Sequence, residues 1–191
     1  MFKGKVILIS GPSGSGKTTL RKMIEKEFKN NLVFSVSYNT REKRSDEIDG
    51  VDYFFVTKDK FEKMIANDEF IEWANVYGHL KGTSKEYVQN IINKGKNILL
   101  ELDVQGGEKV ISMYPDLLSI FILPPSFEEL ERRIRERKGD SEEQIKIRLE
   151  KAKEEIEKSY MYKYKIVNDN VEKAYKELKK LIEDYLKNKI V

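Results

Sequence analysis

The sequence predicts an α/β fold in which helices cover both faces of a parallel sheet. Its apolar runs are short and continuous, and they lie at residues 6–9, 98–102, 117–123 and 166–167. Segments with helical periodicity alternate with these runs, as expected for parallel strands buried on both sides. The 191 residues contain no internal repeat, low-complexity tract or Pro/Gly/Ser linker. One domain over residues 1–191 is therefore expected.

The first strand leads into the pattern G-x-x-x-x-G-K-[ST], which is here Gly11-Pro12-Ser13-Gly14-Ser15-Gly16-Lys17-Thr18. The glycines let backbone N–H groups turn inward around phosphate oxygens. Lys17 adds a charge for the β- and γ-phosphates, Thr18 offers a hydroxyl to Mg²⁺, and the next helix points its positive end at the anion. A plain Gly/Ser connection is the alternative. The full octapeptide between a strand and a helix favours nucleoside triphosphate binding, although it does not specify the fate of the γ-phosphate.

The elements before residue 96 follow from periodicity and capping residues. The first helix is expected from Lys17 to about Lys29, because one face carries Leu20, Met23, Ile24 and Phe28. A short strand at 33–36, a polar turn-rich segment at 37–50 and strands at 53–56 and 70–77 follow. Thr57 is positioned to cap a helix, and Thr83 to Glu86 has the spacing of a capping box that begins another. Trp73 is expected in the core, and His79 in an exposed loop.

The elements after residue 96 are predicted in the same way. A buried strand at 97–103 ends in acidic residues, and a second one occupies 117–123. Pro124-Pro125-Ser126 ends that strand and caps a helix that continues through Arg137. Ser141 begins a second helix, 164–167 is the last core strand, and 171–186 is the last helix.

Composition narrows the class of protein. There is no cysteine, which excludes disulfides, thiolate metal sites and a cysteine nucleophile. The net charge is +3, but charged residues make up 36% of the chain and the two signs are interspersed, so nucleic acid is not the expected partner. The chain enters its first strand without a signal peptide and has no apolar run that could cross a bilayer, so we expect a cytoplasmic protein without membrane contact.

Further motifs follow the phosphate-binding loop in a fixed order along the whole chain. They are Ser35-Val36-Ser37, Thr40-Arg41, Arg44, Gly50-Val51-Asp52-Tyr53, Phe70-Ile71-Glu72-Trp73, Gly82-Thr83, Leu102-Asp103-Val104-Gln105-Gly106, Pro124-Pro125-Ser126 and Val167-Asn168-Asp169. Together with the loop, this order of motifs resembles the guanylate kinases, a family of nucleoside monophosphate kinases. It implies a P-loop kinase fold with a central parallel five-stranded sheet, a mixed α/β GMP-binding insertion and a helical lid. The core would be residues 1–34 and 96–191, the GMP-binding region about 35–95, and the lid about 126–158.

The reaction that the resemblance implies is ATP + GMP ⇌ ADP + GDP, with Mg²⁺ bound to ATP, GMP and dGMP as acceptors, and a role in guanine nucleotide salvage and GTP supply. On the ATP side it implies contacts from residues 11–18, Thr19, Arg133, Asn168 and Asp169. The implied catalytic cations are Lys17, Arg44, Arg137 and Arg148, the last two closing over the γ-phosphoryl group. Thr18 would bind Mg²⁺, with Glu101 or Asp103 acting through water.

On the GMP side the resemblance implies contacts from Ser37, Arg41, Arg44, Tyr53, Glu72, Gly82, Thr83 and Asp103. A carboxylate is suited to guanine because it accepts from N1–H and the 2-amino group together, whereas adenine would leave the charge unpaired. Arginines suit the phosphate because their planar fork binds oxygens in pairs. The alternatives are an outward-facing strand acid for Glu72 and solvated loop arginines for Arg41 and Arg44.

Four positions depart from the family pattern. Lys81 replaces a tyrosine that contacts the GMP phosphate, so the lysine either binds that phosphate or points to solvent. Lys43 and Asp46 replace a proline and a glycine near the arginines, and Glu101 replaces an aspartate. A guanylate-kinase-like binding module without catalysis is the second hypothesis, against which Lys17, Thr18, Arg137 and Arg148 argue. The oligomeric state stays open.

Overall fold

The computed structural model describes residues 4–76, 78–136 and 141–190, and it contains two sheets. The strands of the first sheet are β1 (Val6–Ser10), β2 (Leu32–Phe34), β7 (Asn97–Glu101), β8 (Leu118–Leu123) and β9 (Tyr164–Val167). The strands of the second are β3 (Ser37–Asn39), β4 (Tyr53–Phe55), β5 (Phe70–Val76) and β6 (His79–Ser84). The helices are α1 (Lys17–Glu27), α2 (Lys58–Ala66), α3 (Lys85–Asn93), α4 (Val104–Met113), α5 (Phe127–Arg135), α6 (Glu142–Glu157) and α7 (Val171–Leu186).

The first sheet has the strand order β2-β7-β1-β8-β9, and every neighbouring pair is parallel. The predicted central parallel five-stranded sheet is confirmed. Side chains alternate along β1, so Ile7 and Ile9 face the layer formed by α1 and α7, while Val6 and Leu8 face α3 and α4. All four are buried, which explains the continuous apolar run. The carboxyl ends of β1 and β7 meet at one edge, where the phosphate-binding loop follows β1.

The second sheet has the order β4-β3-β6-β5, with β3 and β4 parallel and the other pairs antiparallel. Helix α2 packs against it through Phe61, which stacks on Phe70 with ring centroids 4.3 Å apart. A register shift between Phe70 and Glu72 interrupts the pairing of β5 with β6. The mixed pairing expected in this region is present.

Several local expectations were wrong. Residues 37–39 and 79–84 are strands, although their polar sequence predicted turns and a loop for His79. Trp73 is 37% exposed rather than in the core, because it lies on the face of β5 opposite Glu72. Helix α3 is capped by Ser84, whose side chain accepts from the Tyr87 N–H, and not by Thr83.

Helix α4 was not predicted, since it has two glycines in its first turn. The other caps follow the sequence: Thr57, Ser126 and Ser141 cap α2, α5 and α6, and Ser141 forms a complete capping box with Gln144. No described helix is long and apolar enough to span a lipid bilayer.

Candidate active site

The phosphate-binding loop is contacted by Asn168, a residue from the last quarter of the chain. Gly16 is the N-cap of α1 and has a left-handed backbone with φ of 90°. A Cβ at Gly16 would lie 2.2 Å from Nδ2 of Asn168, which donates a 2.8 Å hydrogen bond to the Ser15 carbonyl. Gly16 is therefore required both for its conformation and for the close approach of Asn168. The backbone N–H groups that start α1 are left to point into the loop.

Lys17 lies across the same loop. Its ammonium donates to the carbonyl of Gly11 at 2.6 Å and to that of Pro12 at 2.9 Å. Burial lowers the pKa of Lys17, and the negative charges of Glu101 and Glu155 oppose this effect. A cavity of about 210 Å³ extends from the loop to these carboxylates. The two backbone carbonyls thus fix the ammonium of Lys17. It faces the cavity, in which phosphate oxygens would compete with the carboxylates for its positive charge.

Two side chains of α1 hold the carboxylate at the end of β7. The Thr18 hydroxyl donates to Oε1 of Glu101 at 2.7 Å, and Nε of Arg21 donates to Oε2 at 3.1 Å. Arg21 is buried, pairs with Glu25 and lies 4.0 Å from the centroid of the Phe34 ring. Burial would raise the pKa of Glu101, but Lys81, the Thr18 hydroxyl and Arg21 together bring it below its usual value. The carboxylate therefore stays ionised.

A hydroxyl and an ionised carboxylate side by side at a phosphate site form an oxygen donor set that suits Mg²⁺. Thr18 would bind the ion directly, and Glu101 would hold its water ligands. Asp103 lines the same cavity. The residues present fit the ion that the resemblance implies.

A larger cavity of about 620 Å³ lies between the second sheet and helix α6. Arg41, Arg44, Tyr53 and Lys81 line one side, and Gln144, Ile147 and Arg148 line the other. The cavity thus brings together four residues proposed to bind the GMP phosphate and one proposed lid arginine.

Glu47 fixes the arginine segment. Both of its carboxylate oxygens accept from NH2 of Arg41, at 2.7 and 2.9 Å, and Oε2 also accepts from the backbone N–H of Arg44 at 2.9 Å. The guanidinium of Arg41 lies 5.9 Å from the centroid of the Tyr53 ring. Glu47 therefore fixes the guanidinium of Arg41 and the backbone of Arg44, while the side chain of Arg44 is exposed to solvent.

Lys81 lies between the two cavities. It is the one charged residue of the described chain that lines both, and its ammonium is 5.1 Å from the centroid of the Tyr53 ring. Burial would lower the pKa of Lys81, but Tyr53, Glu101, Asp103 and Glu72 raise it above its usual value. The lysine points into the site and not to bulk solvent.

Glu72 is a buried carboxylate, only 4% exposed. Its Oε1 accepts a 2.6 Å hydrogen bond from the Thr83 hydroxyl, which lies 3.3 Å from the Ser37 hydroxyl. Burial raises the pKa of Glu72 to about 7, and the bond from Thr83 acts in the opposite direction. Glu72 lies on the face of the second sheet that carries Thr83 and Ser37, and the register shift places Phe70 on the opposite face, against α2. Glu72 is therefore not an outward-facing strand acid.

Asp103 has two roles in the structure. Its Oδ1 caps α4 by accepting from the Gly106 N–H at 3.0 Å, and its charge contributes to the raised pKa of Glu72. The two acids therefore lie within electrostatic range of each other, at the junction of the second sheet with the end of β7.

Residues implied on the ATP side also meet. NH2 of Arg133 donates to the Asn168 carbonyl at 3.2 Å, and Asn168 in turn contacts the loop. Asp169 is exposed and pairs with Lys173. Arg137 lies outside the described residues.

Comparisons with known proteins agree with this arrangement. The family described as Guanylate kinase matches residues 3–185. The chain belongs to the guanylate kinase family. The guanylate kinase of Carboxydothermus hydrogenoformans is 50% identical over 143 residues, which are 75% of this chain and 70% of that protein. That of Caldanaerobacter subterraneus is 48% identical over 143 residues, or 74% and 68% of the two chains.

A solved structure extends the match to the fold. The crystal structure of guanylate kinase from Anaplasma phagocytophilum superimposes with a TM-score of 0.78 at 33% identity, covering 97% of this chain and 87% of that one. The resemblance inferred from the motifs is confirmed, and so is the fold class. The match spans both sheets, so the family's architecture extends over the site described above.

Sequence reasoning missed three residues of this site. Glu47 cannot be distinguished in the sequence from the neighbouring acids, because its role depends on a loop turning back on itself. Glu155 reaches the phosphate cavity from α6, which only the packing of that helix decides. Arg21 had a signal: it lies three residues after Thr18, so the two share one helix face.

Proposed function

We propose that this chain transfers the γ-phosphoryl group of ATP to GMP, giving ADP and GDP. Membership of the guanylate kinase family supports the reaction. The observation that carries the choice of acceptor is the buried Glu72 carboxylate beside the hydroxyls of Thr83 and Ser37. A carboxylate held in this way has oxygens left to accept from N1–H and the 2-amino group of guanine. Adenine would leave it buried without a donor.

The base site assigns a role to each polar group. Glu72 accepts from the Watson–Crick edge of guanine, and Asp103 has one carboxylate oxygen beyond its helix cap for the 2-amino group. The Thr83 hydroxyl gives its proton to Glu72, so Ser37 must donate in the bond between the two hydroxyls. Ser37 would turn that proton to O6 of guanine when GMP binds. Thr83 thereby orients both Glu72 and Ser37. Gly82 has no side chain, so β6 can pack directly against the Phe70 ring.

The acceptor phosphate lies in the larger cavity. Arg41, Arg44 and Tyr53 hold its oxygens, and Glu47 keeps the guanidinium of Arg41 in a fixed position. Lys81 contacts the same phosphate from the side that faces the phosphate-binding loop. Its position between the two cavities supports this role.

Transfer requires alignment and neutralised charge more than covalent chemistry by the protein. An oxygen of the GMP phosphate attacks the γ-phosphorus, and the bond to the β–γ bridging oxygen of ATP breaks. Lys17 binds the β- and γ-phosphates together with the loop, while Arg44, Arg148 and Arg137 neutralise the charge on the transferring group. Arg133, Asn168 and Asp169 would contact the adenine base, and Asn168 reaches the loop through its bond to the Ser15 carbonyl. Mg²⁺, held by Thr18 and through water by Glu101 or Asp103, would neutralise the β- and γ-phosphates.

The first test measures ADP release from Mg-ATP with GMP, dGMP, AMP, UMP and dTMP offered separately. Strong activity confined to GMP and dGMP is expected. Comparable activity with AMP would contradict the base site. No activity with any acceptor, in protein that still binds ATP, would favour the binding-module alternative.

A further inference from the structure

The carboxylate of Glu72 lies directly against the backbone of α4. A Cβ built at Gly106, the third residue of this helix, would lie 2.5 Å from Oε2 of Glu72 and 3.0 Å from its carboxyl carbon. No side chain fits at such a distance, so an alanine at this position would require the carboxylate to move. The opposite oxygen, Oε1, is the one that accepts from Thr83.

Both partners in this contact are held in place by other interactions. Glu72 is 4% exposed and is tied to Thr83 by a 2.6 Å hydrogen bond. Gly106 is buried within the first turn of α4, and its backbone N–H is already used by the Asp103 cap. The helix therefore supplies a flat surface at this point rather than a hydrogen bond.

We propose that Gly106 is a positioning residue for guanine recognition: because it has no side chain, the Glu72 carboxylate can lie on α4 in the orientation that accepts from the base. This inference rests on the proposed reading of guanine by Glu72. Thr83 and Gly106 thus fix Glu72 from two sides, one by a bond and one by close contact.

The variant Gly106→Ala tests the proposal. Alanine is a better helix former than glycine, so helix propensity alone gives no reason for unfolding. We expect kcat/KM for GMP to fall at least about tenfold, the equivalent of one charge-assisted hydrogen bond. The KM for ATP should stay near its wild-type value. The preference for GMP over IMP, which lacks the 2-amino group, should narrow, whereas a purely structural defect would lower both activities equally.

Two neighbours on the same helix serve as matched controls. A Cβ at Gly107 would lie 2.3 Å from the Tyr162 hydroxyl and not near Glu72, so Gly107→Ala disturbs packing of similar tightness on another side of the helix. Gln105 is exposed, and Gln105→Ala changes neither contact. Both controls should keep the wild-type ratio of GMP to IMP efficiency. A narrowed ratio in either would overturn the assignment to Gly106.

A double-mutant cycle separates this inference from the proposed function. Gly106→Ala should have little further effect on GMP efficiency in a Glu72→Gln background, since the carboxylate is already lost there. Independent, multiplying losses would refute the inference while leaving the reading by Glu72 intact. If Glu72→Gln alone left GMP efficiency unchanged, the proposed function and the inference would both be wrong.

Stability gives a second readout if Gly106→Ala is poorly folded. The acid of Glu72→Asp ends one methylene earlier and withdraws from the added methyl group. Gly106→Ala should therefore lower Tm less in Glu72→Asp than in the wild-type protein. Equal losses of Tm in the two backgrounds would show that the methyl group does not press on this carboxylate.

Discussion

Replacing Glu72 by glutamine removes the charge from the base site while keeping its shape. The amide oxygen can still accept from Thr83, but the NH₂ group then faces the N–H donors of guanine. At least one charge-assisted hydrogen bond is lost, which is worth about 1.5–3 kcal/mol. At about 1.4 kcal/mol for each factor of ten, kcat/KM for GMP should fall by about 10- to 150-fold. ATP binding should stay near normal, because Glu72 lies in the second sheet and the phosphate-binding loop follows β1.

The raised pKa of Glu72 also predicts how kcat/KM for GMP depends on pH. Only the ionised Glu72 accepts two donors, and its pKa in the free protein is about 7. Wild-type kcat/KM for GMP should therefore rise as pH increases through 7 and level off above 8. The GMP phosphate also titrates, at about pH 6, but it does so for both proteins. The ratio of wild-type to Glu72→Gln efficiency isolates the carboxyl group.

The free energy of unfolding of the wild-type protein should fall with rising pH, in contrast to kcat/KM for GMP. The pKa of Glu72 is raised from 4.5 to about 7 on folding, so between these values the folded protein holds a proton that the unfolded chain has released. Wild-type stability therefore falls as pH rises through this window, by about 3 kcal/mol for this one group. Glu72→Gln lacks this loss, so its free energy of unfolding relative to wild type should improve between pH 5 and pH 8. Denaturant unfolding of both proteins at the two pH values measures it.

The reasoning fails if Glu72→Gln retains wild-type GMP kinetics. It also fails if the ratio of efficiencies shows no dependence on pH between 6 and 8. The relative free energy of unfolding tests the burial argument alone, because it needs no substrate. An unchanged difference at pH 5 and 8 would mean that Glu72 is solvated, whatever its role in binding.

Further predictions concern the phosphate sites. Lys81→Met should raise KM for GMP about tenfold, since one charge-assisted contact is lost. Lys85→Met on the protein surface is the control and should leave this KM unchanged. If both variants have the same KM for GMP in steady-state assays, Lys81 lies outside the site. Glu101→Gln should raise the Mg²⁺ concentration needed for half-maximal activity, and its Mn²⁺ affinity in the presence of ADP should fall in electron paramagnetic resonance titrations; an unchanged affinity would remove Glu101 from the metal site. Gly16→Ala should lose ATP binding in calorimetry and about 1–3 kcal/mol of stability, because its methyl group meets Asn168. Gly78→Ala is its control, with φ of 84° and nothing within 4 Å of the new Cβ, and a similar loss of ATP binding there would refute the argument.

Local chemistry explains what the sequence predicted well. The core strands were predictable because a strand buried on both faces must be apolar throughout, as at residues 6–9. Caps at Thr57, Ser126 and Ser141 were predictable because a side-chain oxygen acts within three residues of itself. The phosphate-binding loop is equally local, since its glycines, lysine and threonine all act on one ligand.

The failures come from contacts that local propensity does not encode. The Thr83 hydroxyl is suited to cap a helix, but it donates to Glu72, and Ser84 caps the helix in its place. The strand β6 was missed because its sequence is polar, and it is held as a strand by pairing with β5, which directly precedes it, and with the distant β3. Trp73 is exposed because its neighbour Glu72 takes the face of β5 that packs on α4. None of these contacts produces a periodic pattern of apolar residues in the sequence.

The sequence by itself therefore determined the parallel sheet, the loop that binds a triphosphate and the family to which the chain belongs. These depend on short-range patterns and on motifs in a fixed order. Only the tertiary structure decided that Glu72 lies buried on a glycine of α4, that Glu47 holds Arg41, and that Lys81 stands between the two cavities. Each of these depends on the packing of segments that are far apart in the chain, and the free energy of such contacts is set by distance and burial rather than by neighbouring residues.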